Sequence, residues 1–121
     1  MDNSEPVRGF LDTAFHQKQA IKAFELYCGE PYVQHNTHAP AGGAASARYL
    51  ESFVNGFPEL SIDLKRVLVD GDFVVTHSLI KLRHADRGAV AMDIFRVRDG
   101  RIVEHWDAVA DIPENPTNPP F

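Results

Sequence analysis

Two carboxyl groups and an imidazole, Asp93, Asp107 and His105, stand among Met92, Ile94, Phe95, Val103 and Trp106, in a segment from Ala91 to Val109 that otherwise has the composition of a protein core. Carboxylates are seldom buried without a partner or a purpose. Two of them in one apolar pocket can be driven to different protonation states, which supplies a base for a carbon acid and a neutral donor for the enolate that forms. Proton movement next to a carbonyl needs neither a metal nor an organic cofactor, and none is expected.

Whether these groups act together depends on the register of one hairpin. β-branched and aromatic residues flank Asp99-Gly100, a strong signal for a tight turn between two strands. With a three-residue loop, Arg98-Asp99-Gly100, Val97 pairs with Arg101, Phe95 with Val103 and Asp93 with His105. Asp93, Phe95, Val103, His105 and Asp107 then share one face. With a two-residue loop, Asp93 opposes Trp106 and Asp107 turns away, because a one-residue slip moves every side chain across the sheet. The first register is preferred, since it makes Arg96 and Glu104 neighbours on one face. Trp106 is then on the face opposite the pocket; otherwise it is a pocket wall.

The elements that position the hairpin follow from periodicity. Ser4-Glu5-Pro6 is a helix start with Ser4 as its cap, and Val7, Phe10, Leu11, Ala14 and Phe15, then Ala20, Ile21, Phe24, Leu26 and Tyr27, recur at helical spacing. One or two helices over about Glu5 to Cys28 are expected, with their apolar stripe laid on a sheet. Cys28 reads as a packed thiol. A short extended segment, Pro31 to His38, precedes the loop Ala39 to Gly43. Its Tyr32, His35 and Asn36 are candidates to line a pocket mouth, although a polar loop capping its own backbone accounts for them equally well. His35 and His38 are too few to define a metal site.

Ala44 to Asn55 is a further helix, with Ala47, Leu50, Val54 and Phe57 on one side, stopped by Gly56 and Pro58. From Ser61 the period becomes that of strands. Ser61–Val69 and Phe73–Arg83 end in turn signals at Asp70-Gly71 and Asp86-Arg87-Gly88, as in an antiparallel meander. On the second of these either His77, or Thr76 and Ser78, point inward, so His77 is a further substrate-binding candidate. Residues 111–121, with Pro113, Pro116, Pro119 and Pro120, form an extended tail.

The size, 121 residues, suits one domain, and the apolar content of 44% is that of an ordinary globular protein. A net charge of −5 with no cluster of Lys and Arg argues against a nucleic-acid surface. One cysteine allows no internal disulfide, and no signal peptide or long apolar span is evident, so neither a membrane nor export is expected and the cytoplasm is the simplest compartment.

Helices followed by a meander predict an α+β fold, with the N-terminal helices in the concave side of a curved antiparallel sheet, a cystatin-like cone. Tyr32-x-x-His35-Asn36, the Asp70-Gly71-Asp72 turn, Asp93-Ile94-Phe95-Arg96 and Asp99-Gly100-Arg101-Ile102-Val103-Glu104-His105-Trp106-Asp107 together resemble the SnoaL-like polyketide cyclase group of the nuclear transport factor 2-like superfamily. The similarity runs from about Phe10 to Ile112. The resemblance implies aldol cyclisation or isomerisation, with Asp107 as the acid/base. Asp93 sits where the related ketosteroid isomerases carry a protonated carboxylic acid, and departs from the histidine expected near there in the cyclases. The connection from Arg83 to Gly88 is short for a group that covers polycyclic substrates, which implies a smaller one. The substrate expected is a small hydrophobic carbonyl compound, held by Tyr32, His35, Asn36, His77, Phe95, His105 and Trp106. Met92, Ile94 and Trp106 on the outer sheet face suit a homodimer, a common assembly in this superfamily. The alternative is a non-catalytic dimeric binding module of the same fold.

Overall fold

The structure is a computed structural model and describes residues 2–121. Helix α1 spans Ser4–Leu11, and a π-helical turn, Asp12–His16, continues it. The start differs from expectation: Ser4 lies inside the helix, Asn3 occupies the cap position, and Asp2 Oδ1 accepts the Ser4 backbone N–H at 2.8 Å. Gln17 closes the π turn with its N–H on the Asp12 carbonyl at 3.0 Å; Lys18 follows at φ 58°, and its Nζ donates to the carbonyls of Phe15 and Leu60 at 2.7 and 2.6 Å. Helix α2, Ala20–Tyr27, buries Ala20, Ala23 and Phe24, and Phe24 meets Phe10 edge to face at 5.1 Å.

Strand β1 (Cys28–Gln34) leads to helix α3 (Gly43–Gly56), and then β2 (Ser61–Asp70), β3 (Phe73–Lys81), β4 (Ala89–Arg98) and β5 (Arg101–Asp111) follow. The sheet order is β1-β5-β4-β3-β2. β2 to β5 form the expected antiparallel meander, but β1 runs parallel to β5 at the edge, so the sheet is mixed. A parallel pair needs a long crossover connection, and α3 with β2, β3 and β4 between β1 and β5 supplies it. Asp111 belongs to β5, so the irregular tail begins one residue later than expected. The fold is α+β: three helices packed on a curved five-stranded sheet, with Val7, Phe10, Phe24, Val54, Val74, Phe95 and Ile102 buried between the layers.

The β4–β5 hairpin follows neither expected register. Its turn has two residues, Asp99 at φ 51° and Gly100 at φ 77°, the positive-φ pair of a type I′ turn. Arg98 therefore pairs with Arg101 and Val97 with Ile102, not with Arg101. The next pair is Arg96 with Glu104, so Val103 is a bulge. The extra residue shifts the alternation of β5 by one. Asp93 is thereby opposite Asp107 rather than His105, Phe95 is opposite His105, and Ile94 is opposite Trp106. Among the described residues no helix is long and apolar enough to cross a membrane.

Candidate active site

A cavity of about 720 Å³ opens between the helices and the concave face of the sheet. Its apolar wall comes from Leu11 and Phe15 of the first helical run, Leu50 and Phe53 of α3, and Ile62, Ile80 and Ala91 of the sheet. Each side chain is there for a reason of period: Leu11 and Phe15 lie four apart, Leu50 and Phe53 three apart, and Ala91 precedes Asp93 by two on β4. Asp93, Asp107 and Asn36 supply the interior polar groups. Asp86, Arg87, Gly88 and Asp111 stand at the mouth beside the exposed ring of Tyr49, so the short Arg83 to Gly88 connection forms part of the rim.

Asp93 is bonded to His105, its Oδ1 lying 2.7 Å from Nε2. Their side chains are only 15% and 13% exposed. Burial raises the Asp93 carboxyl above its ordinary 3.8, opposed in part by the His105 bond and reinforced by the nearby charge of Asp107. Asp107 is held differently. Asn36 Nδ2 donates to both its oxygens at 2.9 Å, and Oδ2 lies 3.9 Å from His105 Nε2. Asn36 is itself fixed, its Oδ1 accepting the backbone N–H of His38 and of Ala39 at 2.9 Å. One carboxyl is thus pushed towards neutrality by its surroundings, and the other is supported by an amide donor.

Other candidates from the sequence lie outside the cavity. His105 is not part of its lining; it sits behind Asp93, against the ring of Phe95 at 5.0 Å. Phe95 is 2% exposed and packs on Phe10, so it belongs to the core rather than to a substrate wall. Tyr32 is likewise buried in the core against Phe24 at 5.2 Å, and its phenol is pushed up by burial. His35 and Trp106 stack on the convex face at 4.7 Å, and His35 Nε2 reaches Glu104 Oε2 at 2.7 Å. Glu104 also takes Arg96 Nε at 2.9 Å, and the His35 bond is the first cause of its lowered pKa. His77 is on the convex face as well, where its Nδ1 accepts from Arg66 and its ring meets Phe121 of the tail. Thr76 and Ser78 point inward instead.

The α3 wall was not foreseen as a site, although Leu50 and Phe53 carry the helical spacing that could have indicated it. Gln34 reaches both His105 and Asn36, but glutamine in an extended run carries no signal of its own in the sequence. Asp93, His105 and Asp107 bring donor atoms within 4.8 Å of one another, the composition of a cation site. These atoms are, however, already engaged within the protein: Asn36 donates to both Asp107 oxygens, and Asp93 Oδ1 and His105 Nε2 share a hydrogen bond.

Residues 7–105 match the family described as the SnoaL-like domain. No curated protein matches the chain in sequence. Among solved structures, a Bacillus cereus protein assigned as a polyketide cyclase is similar, at 22% identity and a TM-score of 0.73 over 88% of this chain and 73% of that one. A Kribbella flavida protein assigned as a ketosteroid isomerase has 18% identity and a TM-score of 0.74, over 96% of this chain and 83% of the other. A nuclear transport factor 2-like protein from Mesorhizobium loti has 25% identity and a TM-score of 0.72 over 88% and 89%.

Proposed function

Because the chain belongs to the SnoaL-like domain family, we propose that its cavity binds a small hydrophobic carbonyl compound and moves a proton at the carbon beside the carbonyl, as in aldol cyclisation or isomerisation. The observation that carries this reading is the pairing of Asp93 with Asp107 across β4 and β5, both opening on one largely apolar cavity. Asp107 acts as base and takes the proton from carbon. Asp93, kept towards neutrality by burial against the opposing pull of His105, turns its one hydroxyl proton from His105 Nε2 to the enolate oxygen and donates a hydrogen bond to it. In an isomerisation Asp107 returns its proton to another carbon of the same molecule. In an aldol closure the enolate carbon attacks a second carbonyl, and Asp107 returns its proton to the new alkoxide. Either way the protein ends as it began, and the side chains suffice.

The acidic groups within the cavity and Asp111 at its mouth favour a neutral or cationic ligand over an anionic one. The open mouth gives such a ligand a route in. Leu68, Phe73, Met92 and Ile94 leave apolar surface exposed on the convex side, which supports association of two copies through that face. A second reading is a binding module without chemistry, favoured by the Asp93–His105 contact, which engages Asp93 Oδ1 within the protein itself. The experiment that separates the two is a panel of small hydrophobic ketones, scored first by thermal shift and then by proton NMR in deuterium oxide. Protein-dependent loss of the α-proton signal supports the enzyme; a shift in melting temperature with no exchange in any ketone supports the binder.

A further inference from the structure

Gln34 of β1 lies beside the carboxyl cluster without lining the cavity, and its contacts decide where the protons of His105 can be. The backbone N–H of Asn36 lies 3.0 Å from one terminal atom of Gln34. A backbone N–H can only donate, so that atom is the amide oxygen, Oε1. His105 Nδ1 is 2.8 Å from the same oxygen. An oxygen with no proton cannot donate to Nδ1, so Nδ1 must donate to it. The other end of the amide agrees: Gln34 Nε2 is directed at Ser46 Oγ at 3.4 Å, and Ser46 Oγ lies 3.0 Å from the Pro40 carbonyl. That carbonyl takes the one hydroxyl proton of Ser46 and leaves its lone pairs for the Gln34 NH₂. Ser46 is 2% exposed, so water does not compete for either contact.

We propose that Gln34, anchored on Ser46 of α3, is a positioning residue that fixes the proton of His105 on Nδ1 and so leaves Nε2 as the ring nitrogen that trades a proton with Asp93. The proposal rests on the reading of Asp93 and Asp107 as the reacting groups, and it adds how the pair behind them is set. With Nδ1–H held, one proton lies between Nε2 and Asp93 Oδ1. It passes from the Asp93 hydroxyl to Nε2, giving carboxylate and imidazolium, and back again, with no change at Nδ1. Without Gln34 the neutral ring is free to carry its proton on Nε2 instead. It would then only donate to Asp93, and a neutral Asp93 would have no base to share its proton with.

The test needs no substrate. Long-range proton–nitrogen correlation spectra of the nitrogen-15-labelled protein near neutral pH report which ring nitrogen of His105 bears hydrogen. The expected spectrum has a protonated Nδ1 in the wild type, a switch to protonated Nε2 and bare Nδ1 in Gln34→Leu, and a return to protonated Nδ1 in Gln34→Glu, which restores an acceptor. A wild-type spectrum with bare Nδ1, or a Gln34→Leu spectrum identical to that of the wild type, overturns the assignment. Should Gln34→Leu fail to fold, the wild-type spectrum alone decides. Because the readout is a tautomer, absence of α-proton exchange in every ketone would count against the proposed reaction and leave this result standing.

Discussion

Asp93 and Asp107 are direct partners across β4 and β5, and both carboxyls open on the same cavity although the turn joining the strands has only two residues. A two-residue turn with unbroken alternation would oppose Asp93 to Trp106 and turn Asp107 to the convex side. Val103 removes that conflict: as a bulge it advances β5 by one residue, so Arg96 still meets Glu104 while His105 and Asp107 come round to the concave side. The site therefore depends on a bulge as much as on its carboxyls.

Burial of Asp93 makes its effect on stability depend on pH in a defined sense. Its carboxyl is raised above 3.8 in the folded protein, so the fold keeps a proton that the unfolded chain releases. The stability this proton brings is full below the unfolded value and is lost as pH rises through the folded one. Asp93→Asn cannot titrate and escapes that loss. The melting temperature of Asp93→Asn minus that of the wild type should rise as the pH is raised above the ordinary 3.8 of the carboxyl. A flat or falling difference would show that burial does not hold the proton on this carboxyl.

Asn36 has two separable contributions. Asn36→Ala removes the donor to Asp107 and the acceptor for His38 and Ala39, and should cost about 1–3 kcal/mol in a denaturant titration. Asn36→Asp keeps the acceptor but replaces the donor to Asp107 with a second carboxyl oxygen, so its activity should be no higher than that of Asn36→Ala. Activity near that of the wild type in Asn36→Asp would deny the amide donor a part in holding Asp107.

Ala91 is buried and points into the cavity two residues before Asp93. Ala91→Phe places a ring in the space a ligand would take, with the open mouth leaving room for it. Ligand affinity should fall by about tenfold or more while the melting temperature changes little. Undiminished binding would place the ligand elsewhere.

The convex-face residues should be silent in the reaction. His77→Ala and Trp106→Phe are expected to retain the turnover of the wild type within about twofold, less than 1 kcal/mol in barrier. Trp106 is the single tryptophan, and its emission should not respond to ligand. A large loss of rate in either variant would contradict this separation of faces.

The contrast between faces also marks what the sequence could disclose. Helical and strand periods located the elements from Val7 to Val109 closely, because long amphipathic segments leave a strong imprint. The parallel setting of β1 left none, since seven residues with Pro31 and Gly29 carry little pattern. Alternation told that His77 and Thr76 face opposite ways but not which side is inside; the choice was made by packing, which took Thr76 and Ser78 inward. Asp93 and Asp107 were legible as a pair because carboxyls amid core residues are costly, whereas Gln34 and Ser46 were not, because their meaning lies wholly in whom they meet across α3, β1 and β5.

The central claim is that Asp107 removes a proton from carbon inside this cavity. Deuterium incorporation at the α-carbon of a ketone that the protein binds measures that step alone, whatever product the natural substrate yields. Compared with the wild type, Asp107→Asn should bind the ketone with similar affinity and exchange about 10²–10⁴-fold more slowly, the cost of losing a general base. Equal exchange rates for the two proteins, at equal binding, would contradict the account.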